Sequence, residues 1–267
     1  MNTALSIAGS DPTGGAGIQA DLQVFRALGV HGAAAITALT VQDSERVHQS
    51  LPAFPNVLLD QVRVLFRDLK IDAVKIGMLA TDDVARHLLV ALGELPPEVP
   101  IVLDPVLAAS DGTSLLERRA WGTLCELIPR CALVTPNLIE AEQLTGCETG
   151  TRDGVEKAAR VFIDDFGAKS VLIKGGHRDG APDDLFATAA TNNGGIEPEN
   201  EMHWLAGERI DSGPIHGTGC ALSAAIAAEL AKGAELPAAV NTAREFVVGA
   251  IARAHAPGKG ARFLGFA

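Results

Sequence analysis

Ala4-Leu5-Ser6-Ile7-Ala8-Gly9-Ser10-Asp11-Pro12-Thr13-Gly14-Gly15-Ala16-Gly17-Ile18-Gln19-Ala20-Asp21 holds, in order, a short apolar run, a glycine-rich turn and the opening of a helix. A strand covered on both faces has to be nearly continuous in apolar residues, as 4–8 is. Working outward, similar runs recur at 33–39, 73–76, 101–103, 133–135 and 170–173, separated by segments of helical period. Strands alternating with helices form parallel sheets joined by crossovers. The expected fold is therefore α/β: a three-layer α/β/α sandwich around a mostly parallel central sheet.

The clearest helix is 155–166. Val155, Ala158, Ala159, Phe162 and Phe166 repeat at helical spacing, Glu156, Lys157, Arg160 and Asp164 take the other face, and Gly167 supplies the stop. Two Ala-rich helices, 219–232 and 237–254, close the chain before a tail of low helix content. The most loop-like stretch, 189–198, lies between short runs at 184–188 and 201–205, and its Asn193-Gly194 pair marks a hairpin or loose loop. No linker divides the chain, so 1–267 is expected to be a single domain.

A chain of 267 residues, 47% hydrophobic, can bury a full core without disulfides or structural metal. Its 22 Lys and Arg against 33 Asp and Glu, a net charge of -11, oppose nucleic-acid binding, which draws on clustered positive charge. Runs free of charge, such as 27–42 and 213–228, stop short of a membrane span. The start of the chain lacks a secretory pattern, and Cys125, Cys131, Cys147 and Cys220 show no paired spacing. A cytoplasmic protein with reduced thiols is expected.

In open parallel sheets ligands bind beyond the carboxyl ends of the strands, so the residues following each strand are the candidates for chemistry. The first turn, 8–21, brings backbone amides close together; Gly15-x-Gly17-x-x-Ala20 also fits a relaxed dinucleotide fingerprint, which a ligand-free strand-to-helix turn would explain as well. A second glycine-rich turn, His216-Gly217-Thr218-Gly219-Cys220, opens a helix. Its amides make an anion site, and Cys220 falls in the first turn, where the helix dipole favours a thiolate. Asp104 follows a strand and is held out of a helix by Pro105. Asn137 and Glu140 share a helix start, either as a capping box or as ligands; with Asp104, Glu140 gives a sparse set of hard oxygens suited to Mg2+ held through water and phosphate. Lys174 leaves a buried strand beside Gly175 and Gly176. Glycine-rich anion sites, acids and a lysine at strand ends are what phosphoryl transfer requires.

The motifs Ala8-Gly9-Ser10-Asp11, Gly14 through Asp21, Thr40-Val41-Gln42, Lys75-Ile76-Gly77-Met78-Leu79, Asp104-Pro105-Val106, Thr135-Pro136-Asn137 with Glu140, Lys174-Gly175-Gly176-His177 and His216 through Cys220 resemble, in order, the hydroxymethylpyrimidine/phosphomethylpyrimidine kinases of thiamine biosynthesis. That family belongs to the ribokinase-like superfamily. The resemblance implies a ribokinase-like fold, usually a homodimer, using ATP and Mg2+ to phosphorylate 4-amino-5-hydroxymethyl-2-methylpyrimidine and then its monophosphate. It implies that Gln42 reads the pyrimidine edge, with Asp21, Met78, Gly9, Ala16 and Val41 around it. Gly217, Thr218 and Gly219 form the anion hole, and Cys220 acts on the acceptor hydroxyl. Asp104, Asn137 and Glu140 organise Mg2+ and its waters, and Lys174 with Gly175 meets the ATP phosphates.

Departures from the family pattern are Ile215, the preceding Ser212-Gly213-Pro214, the segment 107–112 and the C-terminal tail. Segments 42–56 and 106–114 are the candidate lids. The nearest rival reading is a pyridoxal or pyridoxine kinase of the same superfamily; a non-catalytic pyrimidine sensor and a nicotinamide-dependent dehydrogenase are further alternatives. The expected partners are the small-molecule pyrimidine, ATP and a second copy of the chain, with no nucleic acid and no membrane.

Overall fold

The computed structural model describes residues 1–176, 181–190, 200–210 and 213–266. The chain packs as two compact units. The larger, Met1–Leu124 with Ile210–Ala267, is assembled from both ends of the chain; the smaller is Cys125–Arg209.

The first part of the larger unit runs β1 (Thr3–Ser10), α1 (Gly17–Ala27), β2 (His31–Gln42), β3 (Val47–Pro52), α2 (Pro55–Asp68), β4 (Ala73–Ile76), α3 (Asp82–Ala91), β5 (Ile101–Leu103) and α4 (Trp121–Leu127), the last crossing the boundary. Its strands stand in the order β3-β2-β1-β4-β5. β1 is parallel to β2 and β4, and β4 to β5, while β3 returns antiparallel along β2. β1 and β4 are buried along almost their whole length, as a doubly covered strand demands. The smaller unit holds β6 (Leu133–Val134), α5 (Leu138–Thr145), α6 (Arg152–Arg160), β7 (Ser170–Ile173), β8 (Asp184–Thr188) and β9 (Glu201–Leu205), with β6 parallel to β7 and β8 and β9 antiparallel. The chain then returns to the larger unit as β10 (Ile215–His216), α7 (Thr218–Ala231), α8 (Leu236–Ala252) and β11 (Arg262–Phe263).

In the larger unit α1 packs on α7 and α7 on α8, while α2 packs on α3, giving two groups of helices around the strands. α7 is buried on nearly every position from Ala221 to Ala231, which explains its Ala-rich composition: small side chains let a helix lie close between α1, α8 and the strands.

The expected strands are all present. β3, β10 and β11 went unread because none is a buried apolar run: β3 is largely exposed, and the other two are two-residue pairings. The predicted lid 42–56 therefore contains the antiparallel hairpin strand β3 at its centre. Helix α6 stops at Arg160 and continues as a wider turn over Val161–Asp165 before Gly167, at φ 71°, ends it. The expected hairpin at 189–198 falls largely outside the described residues, although β8 and β9 on either side of it do pair. Among the described residues no helix is long and apolar enough to cross a membrane.

Candidate active site

The site of the larger unit is built where two glycine turns meet back to back. Gly217 ends β10 at φ 83°, and a Cβ there would lie 1.8 Å from the Gly15 carbonyl oxygen. Gly17 opens α1 at φ 59°, and a Cβ would lie 2.3 Å from Gly9 O. Only glycine supplies both the left-handed backbone and the missing volume. The start of α7 thus lies directly against the turn after β1, and no side chain caps it. Uncapped amides at a helix N-terminus are donors for an anion.

The turn after β1 is different, and corrects the expectation of a second open anion site. Its amides are already taken by its own acid: Thr13 N and Ala16 N each donate to the Asp11 carboxylate at 2.9 Å, and Thr13 Oγ1 donates to it at 2.8 Å. Ala16, expected at the ligand, spends its amide on this internal anion. Asp11 is 3% exposed. Burial pushes its carboxyl up, but His216 and Thr13 outweigh it and hold the group below the usual carboxylate range. The dinucleotide fingerprint here is a strand-to-helix turn closed on itself.

Beneath the turns lies a buried pair of Lys75, to which the sequence assigned no role, and Asp21, expected around the pyrimidine. Lys75 and Asp21 are both completely buried, and Lys75 Nζ donates to the two Asp21 oxygens at 2.8 and 3.0 Å while Ser6 Oγ donates to Oδ2 at 2.5 Å. Ser6 and Lys75 are register partners on β1 and β4, so both point to the helix that carries Asp21. Burial alone pushes the Lys75 ammonium down, but Asp21, with Cys220 and Asp104 adding to it, reverses the direction and keeps it protonated. Asp21 is corrected accordingly: its oxygens are enclosed by Lys75 and Ser6 and do not line an open pocket. A lysine in the middle of an apolar strand was the available signal, because a buried ammonium needs a paired acid.

Cys220 stands in the first turn of α7 and keeps some accessible surface. The pull of the helix start toward a thiolate is outweighed by burial. Protein packed around the sulfur pushes the thiol up to about 11; Lys75 and the Gly17 amide pull it down, and Asp104 and Asp21 work against them. Asp104 is 2% exposed after β5, 3.5 Å from Ser223 Oγ of α7.

Gly9 and Met78 meet each other: a Cβ on Gly9 would lie 2.8 Å from Met78 Sδ. Gln42 ends β2 with its side chain against Thr40 and His216. Val41, expected beside it, is corrected. Successive strand residues face opposite ways, and Val41 is half exposed on the outer face in line with Leu39 and Leu51. The two lid segments are joined, since Val47 N donates to Asp111 Oδ2 at 3.0 Å, and both line a pocket that also includes Gln42 and His216.

In the smaller unit the capping-box alternative is realised. Asn137 Oδ1 accepts from Glu140 N at 2.8 Å, and Glu140 Oε2 accepts from Asn137 N at 2.7 Å. Asn137 is thereby a helix start before it is a nucleotide ligand. Gly175 is also corrected: its amide donates to Asp184 Oδ1 at 2.8 Å, and its missing Cβ makes room for Asp183 O. Lys174 pairs through its backbone with Pro136 and leaves β7 beside Asn137. His177 lies outside the described residues.

Among the described residues no cluster of three or more His, Cys, Asp or Glu could hold a metal. Buried single carboxylates such as Asp104 fit a Mg2+ that keeps most of its waters and is carried in by phosphate, and do not fit a caged ion.

Fold and site together define a ribokinase-like small-molecule kinase. The structure matches the pyridoxal kinase of Staphylococcus aureus in its ADP complex with a TM-score of 0.87 at 30% identity, over 100% of this chain and 93% of that one. It matches the phosphomethylpyrimidine kinase of Clostridium difficile 630 with a TM-score of 0.79 at 34% identity, over 94% of this chain and 100% of that one. The sequence profile of the phosphomethylpyrimidine kinase family covers residues 11–264. A hydroxymethylpyrimidine/phosphomethylpyrimidine kinase of Staphylococcus aureus (strain MSSA476) is 40% identical over 254 residues, 91% of this chain and 86% of the relative. The chain belongs to the phosphomethylpyrimidine kinase family and is a phosphotransferase of the hydroxymethylpyrimidine/phosphomethylpyrimidine kinase type.

Proposed function

We propose that this chain phosphorylates the hydroxymethyl group of 4-amino-5-hydroxymethyl-2-methylpyrimidine with Mg-ATP and then phosphorylates the resulting monophosphate, in the making of thiamine diphosphate. The observation that carries the reading is the uncapped start of α7 with Cys220 in its first turn, beside a buried, protonated Lys75. Gly217, Thr218 and Gly219 donate amide hydrogens to the transferring phosphoryl group. Gln42 reads the pyrimidine edge, and Met78 with Gly9 packs on the ring.

A thiol raised to about 11 is protonated at neutral pH, so Cys220 does not wait as a base. Only its small thiolate fraction takes the acceptor proton, becoming the neutral thiol as the new P–O bond forms and the bond from phosphorus to the departing ADP oxygen breaks, which suffices because a loose transition state asks little of the nucleophile. Lys75 pulls the thiol down and so favours the thiolate that takes the proton. When bound with ATP, Mg2+ supplies charge neutralisation at the phosphates; Asp104 holds its waters. The nucleotide roles read for Lys174 and Glu140 belong to the same proposal. The outer strip of Leu39, Val41 and Leu51, with Phe54 80% exposed beyond it, supports a homodimer.

The test is product formation from Mg-ATP with the pyrimidine, its monophosphate and pyridoxal offered separately, using wild type and Cys220→Ala. Both pyrimidines should turn over. Cys220→Ala should slow the first step far more than the second, whose acceptor is already an anionic phosphate. Equal losses would overturn the role given to Cys220. Turnover of pyridoxal alone would move the protein to the rival kinase, and no turnover would make it a sensor.

A further inference from the structure

His216 stands between two groups that ask opposite things of one atom. Its Nε2 lies 3.0 Å from Asp11 Oδ2 and also 3.0 Å from the Gln42 side-chain amide nitrogen. A ring nitrogen carries either a proton or a lone pair, so it cannot donate to Asp11 and accept from Gln42 together. Asp11 decides between them. Its carboxylate already accepts from Thr13 N, Thr13 Oγ1 and Ala16 N, which only the ionised form does well, so His216 Nε2 carries the proton and donates it to Asp11. Burial raises the Asp11 carboxyl, but His216 and Thr13 hold it low, in keeping with this.

Gln42 must then turn its amide oxygen, and not its nitrogen, toward His216. A second partner agrees. Thr40 Oγ1 lies 3.1 Å from Ser10 O and 3.3 Å from Gln42 Oε1, yet has one hydrogen to give. With the amide turned, Thr40 donates to Ser10 O and accepts from the Gln42 nitrogen, while the one Nε2–H of His216 is shared between Asp11 Oδ2 and the Gln42 oxygen. The imidazole is held in place: a Cβ on Gly15 would lie 2.7 Å from its Cδ2, and Phe263 flanks it at 6.0 Å between ring centroids.

We propose that Asp11 and His216 form a specificity device that locks the Gln42 amide in one orientation and so selects a 4-amino over a 4-oxo pyrimidine. This rests on the reading that Gln42 contacts the ring. A 4-aminopyrimidine presents an N–H donor beside a ring-nitrogen acceptor. The 4-oxo analogue, as its lactam, presents an acceptor beside an N–H donor, the reverse order. A freely turning glutamine accepts both; a locked one rejects the second and leaves buried polar groups unpaired. His216 and Asp11 are thus positioning residues.

The experiment compares kcat/KM for 4-amino-5-hydroxymethyl-2-methylpyrimidine and its 4-oxo analogue with Mg-ATP, reading the ratio, in which a general loss of activity cancels. The wild-type ratio should be about 100 or more, and His216→Leu and Asp11→Asn should each lower it at least about tenfold. His216→Gln, which keeps an N–H that can reach Asp11, should restore most of it. Unchanged ratios in His216→Leu and Asp11→Asn, with Gln42→Ala still raising KM for the amino ring, would overturn the lock alone. Should Gln42→Ala leave KM unchanged, Gln42 does not read the ring, and both the lock and the reading beneath it fall.

Discussion

Replacing Lys75 by methionine removes the ammonium from an ion pair with no solvent on either side and leaves the Asp21 carboxylate facing Ser6 Oγ. The side chains are of similar length, so the change is one of charge more than of volume. At a separation near 3 Å and an effective dielectric of about 20, the lost attraction is on the order of 5 kcal/mol. Breaking a buried pair on one side costs about 3–5 kcal/mol, because the surviving charge stays dehydrated. For a chain of this size that lowers the melting temperature by about 5–9 °C. Urea and thermal unfolding, followed by Trp121 and Trp204 fluorescence, read this directly. The double variant Lys75→Met with Asp21→Leu should recover most of the loss, since neither charge is then stranded. Stability within about 1 kcal/mol of wild type for Lys75→Met, or a double variant worse than the single one, would refute the reasoning. The same single variant also removes the cation that pulls the Cys220 thiol down, so catalysis of the first step should fall even where the protein remains folded.

Cys220, at about 11, should react with iodoacetamide slowly at pH 7, with a rate that climbs about tenfold per pH unit through pH 10, because the thiolate fraction rises with pH below the pKa; a plateau by pH 8 would contradict the upward shift. Gly217→Ala places a Cβ 1.8 Å from Gly15 O at φ 83° and should cut turnover at least about a hundredfold, whereas Gly29→Ala, at φ 74° with open space around it, should cost only about 1–2 kcal/mol of stability and leave turnover intact. Asp11, whose folded pKa lies below 3.8, contributes stability that is present above about pH 4 and is lost as pH falls through the folded value. Acid titration of Asp11→Asn should therefore show a flatter loss below about pH 4 than wild type.

Periodicity located the strands and long helices because a doubly covered strand and an amphipathic helix write their burial into local sequence. The turn around Gly217 and Cys220 was legible for the same reason: glycine and helix-start chemistry are local. β3 was not, because an exposed hairpin strand carries no apolar run and its pairing to β2 comes from residues that touch only in three dimensions. Val41 and Gln42 are adjacent in sequence, yet strand alternation puts them on opposite faces.

The sequence by itself determined the α/β class, the order of the motifs and the residue types that phosphoryl transfer needs. Tertiary structure alone decided which of those groups remain available. Asp11 closes the first glycine turn on itself, Asn137 and Glu140 cap a helix, Asp184 takes the Gly175 amide, and burial raises Cys220 instead of lowering it. The physical reason is common to all four. A hydrogen-bonding or titratable group offers a fixed number of protons and lone pairs, and its charge state depends on solvent and on neighbours that folding brings from distant parts of the chain.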